Sequence, residues 1–281
     1  MSKLSDFQSR MRSLRDIESI LNAMKNLSLV EITKISRFYA TQQELFRTVE
    51  SALADFQKFY GVPFRSAAPG SGSPLYVLIG SERGFCGGFN EAIQKELQRE
   101  VSEGTMPHVI LVGRKLAFKF LEDKRVIATL DGPSAAEEIP LVISQLAKVM
   151  ARFPQSIWKI IHNHYSAEGS TVEITCPFEF STDQTARECQ FPPLLNLPAP
   201  ELRPQLFEQY LFALFYGIFY LSFMAENHER LRHMDGALNK LREEEQRLRQ
   251  LSNSLRQEAI TEELEVIMLS VDGAASRSLQ K

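Results

Sequence analysis

The chain has 281 residues, 44% of them apolar, and a net charge of −3. That length allows one or two domains, and the near-neutral balance gives no bulk signal for nucleic acid or for an acidic membrane surface. Three unclustered cysteines, Cys86, Cys176 and Cys189, argue against a disulfide framework or a structural zinc site and for a reducing compartment.

Residues 1–60 contain neither proline nor glycine, and all thirteen prolines fall between Pro63 and Pro204. Helix breakers are therefore confined to the middle of the chain, with long helices expected on both sides. This gives three segments: 1–60, 61–204 and 205–281. The N-terminus enters a helical pattern at once, so neither a signal nor a transit peptide is expected. Ser5 and Asp6 are candidate caps. The apolar stripe of the first helix reads Leu4, Phe7, Met11, Leu14, Ile17, Leu21, Met24 and Leu27. Its steps of three and four up to Met24, with one extra three, predict a coiled coil with a local stammer. Arg10, Arg12 and Arg15 are open to two readings, a solvated face or a bearing contact with an acidic partner.

Residues 61–74 read as a linker rich in Gly, Pro and Ser. Leu75–Ile79 is an apolar run expected to be a buried strand. The glycine-rich stretch Gly80-Ser81-Glu82-Arg83-Gly84-Phe85-Cys86-Gly87-Gly88-Phe89-Asn90 follows it, and a helix is expected from about Glu91 to Ser102. Further strands are predicted at 108–112, 126–130, 157–165 and 171–178, with helices near 114–122 and 135–153. Strand and helix alternating three times predicts a three-layer, Rossmann-like α/β domain, its last two strands forming an antiparallel hairpin at the edge. Residues 190–204 form a Pro-rich connector.

From Gln205 the chain is again free of proline. Leu231, Met234, Leu238, Leu241, Leu248, Leu255 and Ala259 make a narrow stripe. Glu226–Arg230, Glu243–Arg247 and Glu245–Arg249 place Glu one turn before Arg, the favourable order for a solvated helix. A helix this long needs a partner, and the N-terminal helix supplies one in an antiparallel coiled coil. Tyr210 to Ala225 carries no charge, but it is shorter than the roughly 20 residues of a spanning helix. It reads as a buried section of the long helix.

The glycine loop sits between a strand and a helix, the usual place of a phosphate cradle. It lacks the Lys-Ser or Lys-Thr of a P-loop and the spacing of a dinucleotide fingerprint, so a structural turn is the better reading of its residues. No partner pattern activates Cys86, which reads as an inert buried thiol. His162 and His164 share a strand face without the further ligands that a metal site needs. No catalytic, cofactor-binding or metal-binding constellation is expected.

Three ordered motifs carry a resemblance. They are Ser13-Leu14-Arg15 with Ile20-Leu21-Asn22-Ala23-Met24-Lys25, then the loop Gly80–Asn90, then Arg256-Gln257-Glu258-Ala259-Ile260-Thr261-Glu262-Glu263-Leu264. Glu226, Arg230, Met234 and Ala237 fit a fourth pattern. Together they resemble the gamma subunit of F-type ATP synthases over nearly the whole chain, with a bacterial-type lineage. The signature residues of the loop are Gly80, Arg83, Gly84, Cys86, Gly87, Gly88 and Asn90. The resemblance implies a non-catalytic central-stalk rotor, its coiled coil inside an alpha3beta3 ring and its α/β domain on the membrane c-ring and the epsilon subunit. It implies no cofactor, no nucleic acid and only indirect membrane association, on the cytoplasmic face of the bacterial inner membrane. By matched positions, Met24, Lys25, Arg256, Gln257, Thr261 and Glu263 are the coupling contacts with the beta subunits, and the tip after Ser270 rides in an apolar bearing. Ser19 and Asn22 stand where the family often has lysines. Asn196-Leu197 replaces its aromatic–acid pair near the c-ring. Two other classes compete with it: a coiled-coil adaptor with an α/β head, and an independent nucleotide-binding α/β protein.

Overall fold

The computed structural model describes residues 2–61, 73–101, 106–154, 156–166, 169–178 and 191–278, with the side chains of 2–5, 8, 263, 266 and 269–278 outside that description. Most of the linker expected over 61–74, and Cys189, lie outside the described residues. The elements in order are α1 (Ser2–Tyr60), β1 (Leu75–Ile79), α2 (Phe89–Glu100), β2 (His108–Val112), α3 (Arg114–Ala117), β3 (Val126–Leu130), α4 (Ile139–Met150), β4 (Trp158–Ser166), β5 (Gly169–Thr175) and α5 (Ala199–Ser278). The chain divides into two compact units, one of residues 1–26 with 234–281 and one of residues 27–233.

The larger unit is built on a five-stranded sheet in the order β3-β2-β1-β4-β5. β1 pairs in parallel with both β2 and β4, and β2 with β3, while β4 and β5 form the antiparallel hairpin. β1 is buried on both faces, as its unbroken apolar run requires. Its side chains divide by the strand's period of two. Leu75, Val77 and Ile79 join Ile110, Val112 and Ile160 under α4, and Ile35 of α1 with Phe215, Ile218, Phe219 and Phe223 of α5 complete that layer. Tyr76 and Leu78 join Val109, Leu111 and Ile161 on the other face, under Phe89, Ile93 and Leu97 of α2 and Leu116 after β2. Two covered faces make the expected three layers. None of the residues from Tyr210 to Ala225 is exposed. Phe46 meets Tyr210 at a tilt and Phe38 stacks on Tyr220, so the uncharged run is a helix–helix seam lying on the sheet.

Two local expectations are corrected. α5 begins at Ala199, not after Pro204. The N–H groups of Glu201 and Leu202 reach the Pro198 carbonyl, and the first-turn donors lack intrahelical acceptors anyway, so Pro200 costs little there, whereas Pro204 lies inside the helix. In the smaller unit the seam of α1 keeps a strict alternation of three and four through Phe7, Met11, Leu14, Glu18 and Leu21. Ile17 stands 46% exposed. There is no stammer, because Glu18 holds the position that the apolar pattern leaves vacant, with its charge on Arg242 at 3.3 Å.

Candidate functional site

The loop after β1 occupies a particular place. The crossovers run from β1 to β2 and β3 on one side, and β4 lies on the other, so the loop sits where the strand order reverses. Open α/β sheets ordinarily take ligands at that crevice. Here α5 fills it. Phe223 belongs to one core layer and Ala225 to the other, and the next turn of the helix faces the loop.

The loop is set by close packing. A Cβ at Gly80 would meet Leu116 Cβ at 2.4 Å and Asn90 Oδ1 at 2.8 Å, so no other residue fits. The Ser81 N–H donates to Asn90 Oδ1 at 3.0 Å, and Asn90 Nδ2 donates to Ser81 Oγ at 2.8 Å. This ties the start of the loop to the first turn of α2. Gly87, at φ +55°, turns the chain into that helix. Glu82 is buried and organises three segments. It accepts the N–H of Arg114 at 2.9 Å, the N–H of Gly132 at 2.8 Å and the Arg114 guanidinium. Burial alone would push its carboxyl up, but those donors outweigh burial and hold it below the ordinary glutamate value.

From α5, Glu226 and Arg230 enter the loop fully buried. Arg230 donates to Glu226, to Gly84 O at 3.2 Å, to Asn227 Oδ1 at 2.9 Å and to Cys86 Sγ at 3.2 Å. Burial holds the Glu226 carboxyl above the ordinary glutamate value; the Arg230 guanidinium and the N–H groups of Arg83 and Glu82 offset only part of that rise. The loop's inward N–H donors thus serve a carboxylate of the chain itself. The same burial, with Glu226 beside it, pushes the Cys86 thiol up to about 12, which makes it inert as a nucleophile. Arg83, Gly87 and Gly88 are exposed. The sequence reading of Glu226–Arg230 as a solvated pair is corrected: it is the buried centre of the loop–helix lock.

His162 and His164 do not converge on a metal. His162 is buried, which lowers its pKa, and its Nε2 lies 3.1 Å from Thr175 Oγ1. His164 Nδ1 lies 2.7 Å from Glu173. No group of three or more side chains able to hold a metal ion forms among the described residues.

In the smaller unit α1 and α5 pack antiparallel. Arg15 pairs with Glu245 at 3.2 Å, Glu18 with Arg242 at 3.3 Å and Lys25 with Asp235 at 2.6 Å. Steps of three and then seven up α1 are matched by the same steps down α5. Along the same seam Leu21, Met234 and Leu238 are buried, with Met24, Ala237 and Leu241 against them. On this register Ser2 falls opposite Glu258, so the final turns of α5, which run to Ser278, have no part of α1 to pack on.

A family model described as ATP synthase matches residues 3–274. This chain belongs to the ATP synthase gamma-subunit family. It is 25% identical to the ATP synthase gamma chain of Acetivibrio thermocellus, over 95% of this chain and 98% of that one. Against the gamma chain of Exiguobacterium sibiricum it is 23% identical, over 99% and 100%. The fold is shared with a chain of the Euglena gracilis mitochondrial ATP synthase rotor, at TM-score 0.67 and 16% identity over 92% of this chain and 99% of that one. A chain from the OSCP/F1/c-ring structure of the same enzyme gives TM-score 0.69 at 16% identity, over 97% and 94%. By family, then, the chain is a central-stalk subunit of an F-type ATP synthase.

Within this gamma subunit the matched contact residues fall into two sets. Met24 is half-buried on the seam, and Lys25 is held by Asp235. Arg256, Gln257 and Thr261 are exposed on α5, the Thr261 hydroxyl donating to Gln257 O at 2.9 Å. The side chain of Glu263 lies outside the described residues. Lys25 pairs at position 235 and Gln257 lies 22 residues on, so the sets are about 33 Å apart along α5. Sequence reasoning missed Glu82 and the burial of Arg230. The signal for Glu82 was its place inside the glycine loop, one residue beyond Ser81.

Proposed function

We propose that this gamma subunit is a non-catalytic rotor, whose α5 end transmits torque to the beta subunits of an alpha3beta3 ring. The carrying observation is the bare end of α5. Beyond the reach of α1, Ile260, Leu264 and Met268 stand 49–68% exposed beside Gln257 and Thr261. An apolar helical surface of that kind marks an interface. Arg256, Gln257, Thr261 and Glu263 form the polar catch on it, and Met24 and Lys25 form a second contact lower on the shaft. The α/β domain, residues 61–204, binds the c-ring and the epsilon subunit, with the signature loop clamping the shaft rather than a ligand. The shaft segments are 1–60 and 205–281. The complex lies on the cytoplasmic face of the bacterial inner membrane, and ion flow, H⁺ or Na⁺, turns c-ring and shaft together.

Coupling requires contacts whose energy differs between beta-subunit conformations, because equal contacts shift nothing. Polar side chains on a bare helix meet this need, since each gains or loses hydrogen bonds as a beta loop approaches. Replacing Gln257 and Thr261 together by Ala is expected to lower ATP synthesis in the assembled complex while leaving assembly intact. Unchanged synthesis would remove these residues from the catch.

A further inference from the structure

A second concave site lies on the sheet far along the chain from the signature loop. α1, α5 and the β4–β5 hairpin enclose a cleft of about 240 Å³. That is just below the usual range of small-molecule pockets and large enough for one ring with a short side chain. Its walls are Tyr39 and Phe46 from α1, Gly217 and Ile218 from α5, and His162 and Glu173 from the hairpin.

Gly217 is the informative residue. Glycine inside a helix costs about 1 kcal/mol relative to alanine, and it is usually kept there for close backbone approach or a special turn. Neither applies, because a Cβ built at Gly217 meets nothing within 4 Å. Unlike the exposed Gly236, Gly217 is half-buried and borders the cleft. Its missing side chain leaves that space open.

The chemistry of the walls selects a ligand. Neither lysine nor arginine lines the cleft, and its one formal charge is the Glu173 carboxylate, 48% exposed, whose Oε1 lies 2.7 Å from His164 Nδ1, leaving Oε2 for a ligand. Burial keeps His162 neutral by lowering its pKa. Burial and the nearby Glu173 raise the Tyr39 pKa, against a lowering by Arg47, so its hydroxyl stays protonated. Tyr39 and Phe46 offer aromatic surface, which attracts cations as well as apolar rings. We propose that this cleft is a binding site for a small aromatic or alkyl ammonium ion, its nitrogen on Glu173 and its apolar part against Phe46 and Ile218, in the space opposite Gly217.

The test uses the full chain and three matched probes: 2-phenylethylammonium, the neutral 2-phenylethanol and the anionic 3-phenylpropionate. Ligand-observed NMR titration should give saturable binding of the ammonium and at least about tenfold weaker binding of the other two, the scale of one charge-assisted hydrogen bond. Glu173→Gln should lose that preference while still admitting the alcohol. Gly217→Leu should abolish binding of all probes while keeping the helix, since the new side chain enters open space. Equal affinity for the three probes, full binding by Gly217→Leu, or no saturable binding at all would each overturn the proposal.

Discussion

At the scale of single residues, the loop after β1 depends on two buried charges with different partners. Glu82 is held by two backbone N–H groups and Arg114, so its folded pKa is lowered. The stabilisation this gives is fully present above the ordinary glutamate value of 4.5 and is lost as pH falls through the folded value. Glu82→Gln should therefore cost about 1.5–3 kcal/mol at neutral pH, the scale of hydrogen bonds to a charged group. It should also flatten the acid limb of a stability–pH curve, checked by urea unfolding from neutral pH downward. An unchanged acid limb would remove Glu82 from the linkage. Arg230 poses the opposite case. Arg230→Met leaves Glu226 buried without its cation and should cost about 3–5 kcal/mol, whereas Glu226→Leu with Arg230→Met should recover part of that loss, the loop N–H groups of Arg83 and Glu82 then lacking their acceptor. Equal destabilisation in the single and double variants would mean that the pair is not the centre of the lock.

At the scale of elements, the two long helices and the alternating strands were legible because each obeys one period. β1 is an apolar run of strand length, buried on both faces. The α5 stripe recurs at three and four, with Glu245 filling the step between Leu241 and Leu248. The antiparallel pairing followed from need, since neither narrow stripe can be buried alone. What could not be read was decided by tertiary placement. A Glu–Arg pair one turn apart has the same spacing in a solvated helix and in a buried one, so Glu226–Arg230 looked identical to Glu243–Arg247, both of whose residues are exposed. Pro198, Pro200 and Pro204 looked like a helix stop, but Pro198 precedes the helix, Pro200 falls in its tolerant first turn, and α5 continues through Pro204. The signature loop was legible as a turn, but its service to α5 needed the topology of the sheet. Continuity of α5 is testable at this scale. Leu241→Pro removes a helical hydrogen bond and clashes with the preceding turn, at about 3 kcal/mol or more. Circular dichroism should show lost helix, and assembly with the ring should fail. Normal helicity would contradict a continuous α5.

At the scale of the whole molecule, the same sequence economy explains both stiffness and reach. Proline and glycine are nearly absent from α1 and from α5 beyond its first turns, which removes the usual causes of kinks. The sheet uses its ligand crevice to hold a helix, with Glu226 and Arg230 of α5 buried against the loop after β1. The bare end of α5 leaves apolar and polar side chains for partners that the chain itself does not supply. The most direct test of the rotor account is ATP hydrolysis by alpha and beta subunits from the same source, measured with and without this chain. The account predicts that one copy per ring assembles and gives sustained turnover. Failure to assemble, or a rate the chain leaves unchanged, would contradict it.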